Sequence, residues 1–189
     1  MIYFTSDTHF GSDRTLKFSR RPFFNTADVD NQLIDSFNKV AKSEDDLIFH
    51  LGDFGDYDLI KLIKAKVVLI CGNHDEEYIQ EKFNGDFDKF KEWLLELGFY
   101  KVIKGDYYRS IVIDDYKVLM AHEPSKIPTE FAEDKEIHLF GHIHEKQKIK
   151  RRGLNVGVDC NNFQLVDFET VKFYTNAIRN HYDEEVFME

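Results

Sequence analysis

Sulfur and long apolar runs are scarce in this 189-residue chain, and positive charge is outnumbered by negative. Its two cysteines, Cys71 and Cys160, fall in different strand-like segments without metal-type spacing. That excludes a cysteine metal site and reads as two buried thiols of a reducing compartment. No apolar stretch reaches the roughly 20 residues of a membrane-spanning helix. The start, Met1-Ile2-Tyr3-Phe4-Thr5-Ser6-Asp7, lacks the basic and apolar regions of a secretory signal. A cytoplasmic protein with no membrane partner is therefore expected. Lysine and arginine number 25 against 35 acidic residues, a formal net charge of -10. Such a surface repels nucleic acid at long range unless a local basic patch intervenes. Repeats, low-complexity segments and linkers are also lacking, and 42% hydrophobic with 15% aromatic content is that of a folded chain with a real core.

What the chain does have is one pattern used five times: a short apolar run followed at once by metal-capable polar residues. Val67-Val68-Leu69-Ile70-Cys71 reads as a buried strand and leads into Gly72-Asn73-His74-Asp75. Ile2-Tyr3-Phe4-Thr5 leads to Asp7-Thr8-His9, whose two side chains would point the same way in extended backbone. Leu47 to Leu51 ends in Gly52-Asp53, Tyr116 to Met120 in His122, and Ile137 to Phe140 in Gly141-His142-Ile143-His144. Each sequel alone could be an ordinary polar turn. Open α/β sheets place ligands at the carboxyl ends of their strands, and five such ends make accident a poor explanation.

Between these runs the chain alternates in class. Phe10 to Asn25 reads as a loop carrying Arg14, Lys17, Arg20 and Arg21. Thr26 or Asp28 caps a helix with Val29, Leu33, Ile34, Phe37 and Val40 on one face. A short helix at Leu59 to Ile63 completes a β-α-β-α-β half with a mostly parallel sheet. Glu76 to Leu97 is helical, with a break near Asn84-Gly85. Strand character begins at Tyr100, with a hairpin from Ser110 to Met120 and two further strands, 154–159 and 163–166. A helix from Thr170 to Tyr182 precedes an acidic, mobile tail. His50 and His138, inside strands, read as core histidines.

The set Asp7, His9, Asp53, Asn73, His122, His142 and His144 offers seven oxygen and nitrogen donors and no sulfur. That exceeds the need of one tetrahedral ion and suits two ions about 3.5–4 Å apart. Together with Gly52-Asp53, Gly72-Asn73-His74-Asp75 and Gly141-His142-Ile143-His144, the order of motifs resembles the calcineurin-like metallophosphoesterases. His50-Leu51-Gly52-Asp53-Phe54 and Asn155-Val156-Gly157-Val158-Asp159 resemble the small bacterial and phage branch of that family. The resemblance implies an α/β fold, a four-layer α/β/β/α sandwich with two mixed sheets. Residues 1–168 would form a single domain, and 169–189 its C-terminal helix and acidic tail. It further implies one metal held by Asp7, His9, Asp53 and His144, and a second held by Asn73, His122 and His142, with Asp53 bridging. His74 would be the general acid and Asp75 its orienting partner. Ala121 and Ser12 depart from residues common in the family.

The implied activity is hydrolysis of phosphate esters by a metal-bridging hydroxide, with Asn73, His74 and Arg14 meeting the substrate, and Arg20 or Arg21 of the same loop as further candidates to reach its phosphate or leaving group. Imidazole and oxygen donors suit two transition-metal ions, manganese first, with iron, zinc or nickel as alternatives. Two other classes compete. A non-catalytic scaffold on the same fold typically loses the catalytic histidine, which this chain keeps. A nuclease would use the run Lys146, Lys148, Lys150, Arg151 and Arg152, which net charge instead favours as a solvated face, leaving nucleic acid a disfavoured partner. Neither the oligomeric state nor the individual ester follows from the residues.

Overall fold

The computed structural model describes residues 1–181. Four strands of the first sheet run parallel: β1 (Ile2–Thr5), β2 (Leu47–His50), β3 (Lys66–Ile70) and β4 (Lys101–Ile103). At one edge β10 (Val166–Asp167) pairs antiparallel with β1, giving the order β10-β1-β2-β3-β4. The second sheet has the order β5-β6-β7-β9-β8, built from β5 (Arg109–Ile113), β6 (Tyr116–Met120), β7 (Glu136–Phe140), β8 (Ile149–Lys150) and β9 (Gly153–Asn155). Both sheets are mixed, as expected.

Alternation along the first sheet divides its side chains between two cores, because successive residues of a strand face opposite ways. Tyr3, Ile48, Val67 and Leu69 point to a core closed by α2 (Thr26–Val40), α3 (Asn73–Phe83) and α4 (Phe87–Leu97). Phe4, Phe49, Val68 and Ile70 pack instead on Val118, Met120, Ile137, Leu139 and Leu154 of the second sheet. That interior is why the two sheets lie face to face. The last helix, α5 (Phe168–His181), contacts β9 and β7 of one sheet and β10 and β1 of the other. Its Phe168 and Val171 join the inter-sheet core. Among the described residues no helix is long and apolar enough to cross a membrane.

Several local expectations need correction. The segment read as a loop holds a helix, α1 (Asp13–Phe18), started by the Ser12 side chain accepting the Thr15 N–H. Only Thr15 and Leu16 of this helix are buried, so it carries little apolar periodicity. Asn25, not Thr26 or Asp28, caps α2 by accepting the Asp28 N–H. The span 154–159 is extended only to Asn155, whose side-chain oxygen accepts the Gly157 N–H and turns the chain. Asn162 and Phe163 have φ of 53° and 57°, so no strand can start at 163. Asn84 and Gly85, at φ 52° and 80°, do separate α3 from α4 at the expected place. Tyr182 and the acidic tail lie outside the described residues.

Candidate metal centre

All seven candidate donors lie just past the carboxyl ends of β1, β2, β3, β6 and β7, so both sheets feed one rim. Asp7, His9, Asp53, His142 and His144 have φ between 47° and 72°. The left-handed region is sparsely used by residues other than glycine, and it persists where surroundings over-determine it. Here the two loops are cross-linked, with the Asp7 N–H donating to Gly52 O (3.0 Å) and the His9 N–H to Asp53 O (3.0 Å). Asp7 and His9 therefore converge through turns, not through the alternation of an extended strand. Glycine is required at two points of close approach. A side chain at Gly72 would collide with the Asp53 carboxylate, and one at Gly141 with Ser6 and Asp7.

Asp53 occupies the middle of the group. Its Oδ2 lies 3.5 Å from His9 Nε2 and 3.3 Å from His122 Nε2, while Oδ1 accepts the His74 N–H at 2.9 Å. To one side, donor atoms of Asp7, His9 and His144 all fall within 4.8 Å of one another, and the His9 and His144 rings stack at 5.2 Å. To the other, Asn73 Oδ1 lies 3.0 Å from His122 Nε2 and 2.9 Å from His142 Nδ1, with those two nitrogens 3.3 Å apart. His122 Nδ1 donates to Leu51 O (2.7 Å), which leaves Nε2 turned to the centre.

The residues fit divalent cations. His9 Nε2 is buried with no hydrogen-bond partner, and a lone pair so placed wants an electrophile. Burial pushes the His9 pKa down to about 3, which keeps the ring neutral with one nitrogen lone pair to offer. His122 behaves oppositely. Burial opposes its charge, but the Asp53 and Asp7 carboxylates outweigh that and hold its pKa up at about 9. Asp53 is itself held below the usual carboxylate range: burial works against it, and His122 and His9 more than compensate. Positive charge is what this pair of carboxylates calls for.

Behind the donors stands a buried ion pair. Arg21 Nε donates to Asp159 Oδ1 at 2.8 Å, and both side chains are nearly inaccessible, at 2% and 4% exposure. Arg21 also donates to the Asp7 and Thr8 carbonyls, at 2.6 and 2.7 Å, and so clamps the first motif from outside. Asp159 Oδ2 lies 2.7 Å from His144 Nδ1 and orients that ring. Arg21 is thus a support of the centre and has no reach to a substrate, contrary to the expectation for this segment. Asp159→Asn is expected to cost about 10- to 100-fold in metal affinity, read by titrating metal into the apo-protein. An unchanged affinity with a freely rotating His144 would remove the orienting role.

Asp75 also differs from expectation. Its carboxylate accepts from Gly72 N (2.7 Å), Asp53 N (2.8 Å), Phe54 N (3.3 Å) and the Tyr57 hydroxyl (2.6 Å), and it is fully buried. It ties the Asp53 loop to the start of α3 and does not touch the His74 ring. Burial and the neighbouring Asp53 raise its pKa, against those four bonds. His74 Nδ1 instead meets Glu77 Oε2 at 2.8 Å, one turn on along α3. Tyr57→Phe removes one of Asp75's partners and leaves the carboxylate partly unsatisfied. A loss of roughly 1–3 kcal/mol in unfolding free energy is expected from denaturant titration; no loss would mean that a water replaces the hydroxyl.

A cavity of about 480 Å³ opens over the donors, lined beyond them by Ser12, Arg14, Thr15, Phe18, Ile143 and Lys146. Arg14 lines this cavity, whereas Arg20 does not. The basic run divides: Lys146 faces the cavity, Lys148 donates to Cys160 O at 3.1 Å, and Arg152 pairs with Glu130 at 3.2 Å. His50 and His138 are buried, bonded to Thr8 and Glu136. Cys71 is a buried free thiol, while Cys160 is only half-buried and donates to His144 O. Tyr57, Glu77 and Asp159 were not singled out as functional residues from the sequence. Glu77, three places after His74 on a helix, and Asp159, the last residue of the Asn155 to Asp159 motif, had readable signals.

A family model described as the calcineurin-like phosphoesterase superfamily domain matches residues 1–162. Among curated proteins, an uncharacterized protein of Methanocaldococcus jannaschii, MJ1445, is 27% identical over 185 residues, covering 90% of this chain and 88% of its own length. Among solved structures, the protein of unknown function AQ665 from Aquifex aeolicus is similar with a TM-score of 0.65 and 21% identity, over 92% of this chain and 98% of that one. An archaeal phosphodiesterase is similar with a TM-score of 0.50 and 21% identity, over 90% and 94% of the two chains. At these identities the two structures share the fold.

Proposed function

The chain belongs to the calcineurin-like phosphoesterase superfamily, and we propose that it hydrolyses phosphate esters at a two-metal centre. The observation that carries this reading is the grouping of the donors on either side of Asp53, with the buried, unpartnered His9 Nε2 among them. Asp7, His9 and His144 would hold one ion, Asn73, His122 and His142 the other, and Asp53 both. Manganese leads for these donors, with iron, zinc or nickel as alternatives. Such ions supply positive charge for the phosphate oxygens and draw a nucleophile from water near neutral pH.

The chain's own residues do the rest. Asn73, His74 and Arg14 orient the phosphate, with Arg14 able to offer two parallel N–H donors. As the oxygen of a water that has given one proton to solvent bonds to phosphorus, the bond from phosphorus to the leaving oxygen breaks. His74 delivers its proton to that oxygen, and Glu77 holds the ring for the transfer. Asp75 keeps the loop that presents Asp53 and His74 in place. A reducing, cytoplasmic setting fits the two free thiols.

The test is turnover of a panel of alkyl and aryl mono- and diesters by the manganese-loaded protein, beside elemental analysis. Two ions per chain and chelator-sensitive hydrolysis of at least one ester are expected. Full occupancy with no turnover of any ester would leave the centre without this function.

A further inference from the structure

The cavity wall above the metal donors is chemically one-sided. Apart from the donor Asp53, its ionisable side chains beyond the histidines are cations, Arg14 and Lys146, in a protein whose formal net charge is -10. Neither cation has a hydrogen bond or ion pair within the described residues, so both are uncommitted. Elsewhere on the surface Lys17, Lys61, Lys89 and Lys126 each pair with a carboxylate three or four residues away.

Phe18 shares this wall with the two cations. It is 66% exposed, among the largest apolar exposures in the chain, yet it lines the same cavity. Arg14 and Phe18 are four residues apart on α1 and so share a face of that helix. The Phe18 ring stands edge-on to His144, with centroids 6.3 Å apart, which places it beside the metal donors. An exposed phenyl ring at the lip of a polar cavity exposes apolar area to water unless something planar covers it. Ile143 continues that apolar wall from the opposite motif.

We propose that Phe18 and Lys146 form a specificity subsite, in which Phe18 stacks on an aromatic ring of the substrate and Lys146 binds a second anionic group, while Arg14 stays with the ester phosphate. The substrate class is then a phosphate ester carrying both a planar base and a further phosphate, and the cavity of about 480 Å³ has room for one such molecule. This inference rests on the two-metal phosphoesterase reading for the ester bond that is cleaved. It adds which esters are chosen and which residues choose them.

A two-by-two set of probes separates the contributions. Ribose 5-phosphate has neither ring nor second phosphate, adenosine 5′-monophosphate has the ring, fructose 1,6-bisphosphate the second phosphate, and adenosine 3′,5′-bisphosphate both. On the manganese-loaded protein each is measured by calorimetric binding and as an inhibitor of bis(4-nitrophenyl) phosphate hydrolysis at fixed ionic strength. Adenosine 3′,5′-bisphosphate is expected to bind tightest. Phe18→Ala should weaken only the two adenine compounds, by on the order of tenfold, with Phe18→Tyr restoring them and Phe18→Leu not. Lys146→Ala should weaken only the two bisphosphates, by roughly three- to tenfold, and flatten their salt dependence. In turnover these changes should appear in KM, with kcat held, since neither side chain is placed at the reacting atoms.

Equal binding of all four probes, or equal losses in every variant for every probe, overturns the subsite. No turnover of any ester in the mono- and diester panel, with the expected calorimetric pattern intact, would overturn the phosphoesterase reading and leave the subsite standing.

Discussion

An alkyl phosphodiester is expected to lose on the order of 10²–10⁴-fold in kcat when His74 becomes alanine, while a nitrophenyl ester loses much less. The difference lies in the leaving group. An alkoxide is a poor one and needs a proton as the bond breaks, whereas nitrophenolate departs unaided. The structure puts His74 at the first turn of α3, its N–H bonded to Asp53 and its ring held by Glu77. Alanine keeps that backbone bond, so the Asp53 carboxylate loses no partner and the loop has no cause to move. Glu77→Gln should reproduce a fraction of the defect with the same preference for alkyl esters, because it loosens the ring without removing it. A ring nitrogen of His74 also falls within 4.8 Å of donor atoms of His9 and Asp53, so metal content has to be measured beside the rates. Loss of one ion in His74→Ala would make His74 a ligand, and equal losses on both esters with metal intact would make it a phosphate-binding group.

Which parts of this centre were visible in the sequence follows from where their determinants lie. Strand and sequel are contiguous, so Val67 to Ile70 followed by Gly72, Asn73 and His74 announces both a buried strand and what hangs from its end. That is why seven candidate donors at strand ends could be singled out before any coordinates, whereas the two-sheet sandwich came from the resemblance of the motif order to a family. The supports are not contiguous. Arg21 and Asp159 are separated by 138 residues, and nothing in either neighbourhood marks the pairing. Arg21 looked like one more loop arginine beside Arg14 and Arg20, and only its burial distinguishes it. Asp75 was misassigned for a related reason: adjacency to His74 in sequence implied contact. On a helix, adjacent residues point about 100° apart, so Asp75 turns inward to Tyr57 and Glu77 becomes the neighbour of His74. The left-handed conformations of Asp7, His9 and Asp53 were equally hidden, because they are imposed by the cross-linked loops and not by residue preference.

Loss of Asp53 should be felt on both sides of the centre at once, because a single oxygen of its carboxylate faces a histidine on each side. Its Oδ2 alone faces His9 on one side and His122 on the other, at 3.5 and 3.3 Å. Asp53→Asn keeps an oxygen to accept the His74 N–H and nearly the same volume, so the fold should survive. It removes the charge that two ions would share. Losing an outer support of a metal ligand commonly costs about 10- to 100-fold in affinity or activity, and a shared ligand should cost more than the upper end of that range. His142→Ala, by contrast, removes one half-exposed donor from one side and should leave the Asp7, His9 and His144 side loaded. Elemental analysis of Asp53→Asn, His142→Ala and the wild type, with a thermal melt of each as the control for folding, gives the ranking directly. Near-complete loss of both ions in Asp53→Asn and retention of about one in His142→Ala is the expected order. Wild-type occupancy in a folded Asp53→Asn would show that the two sides bind independently and that Asp53 bridges nothing.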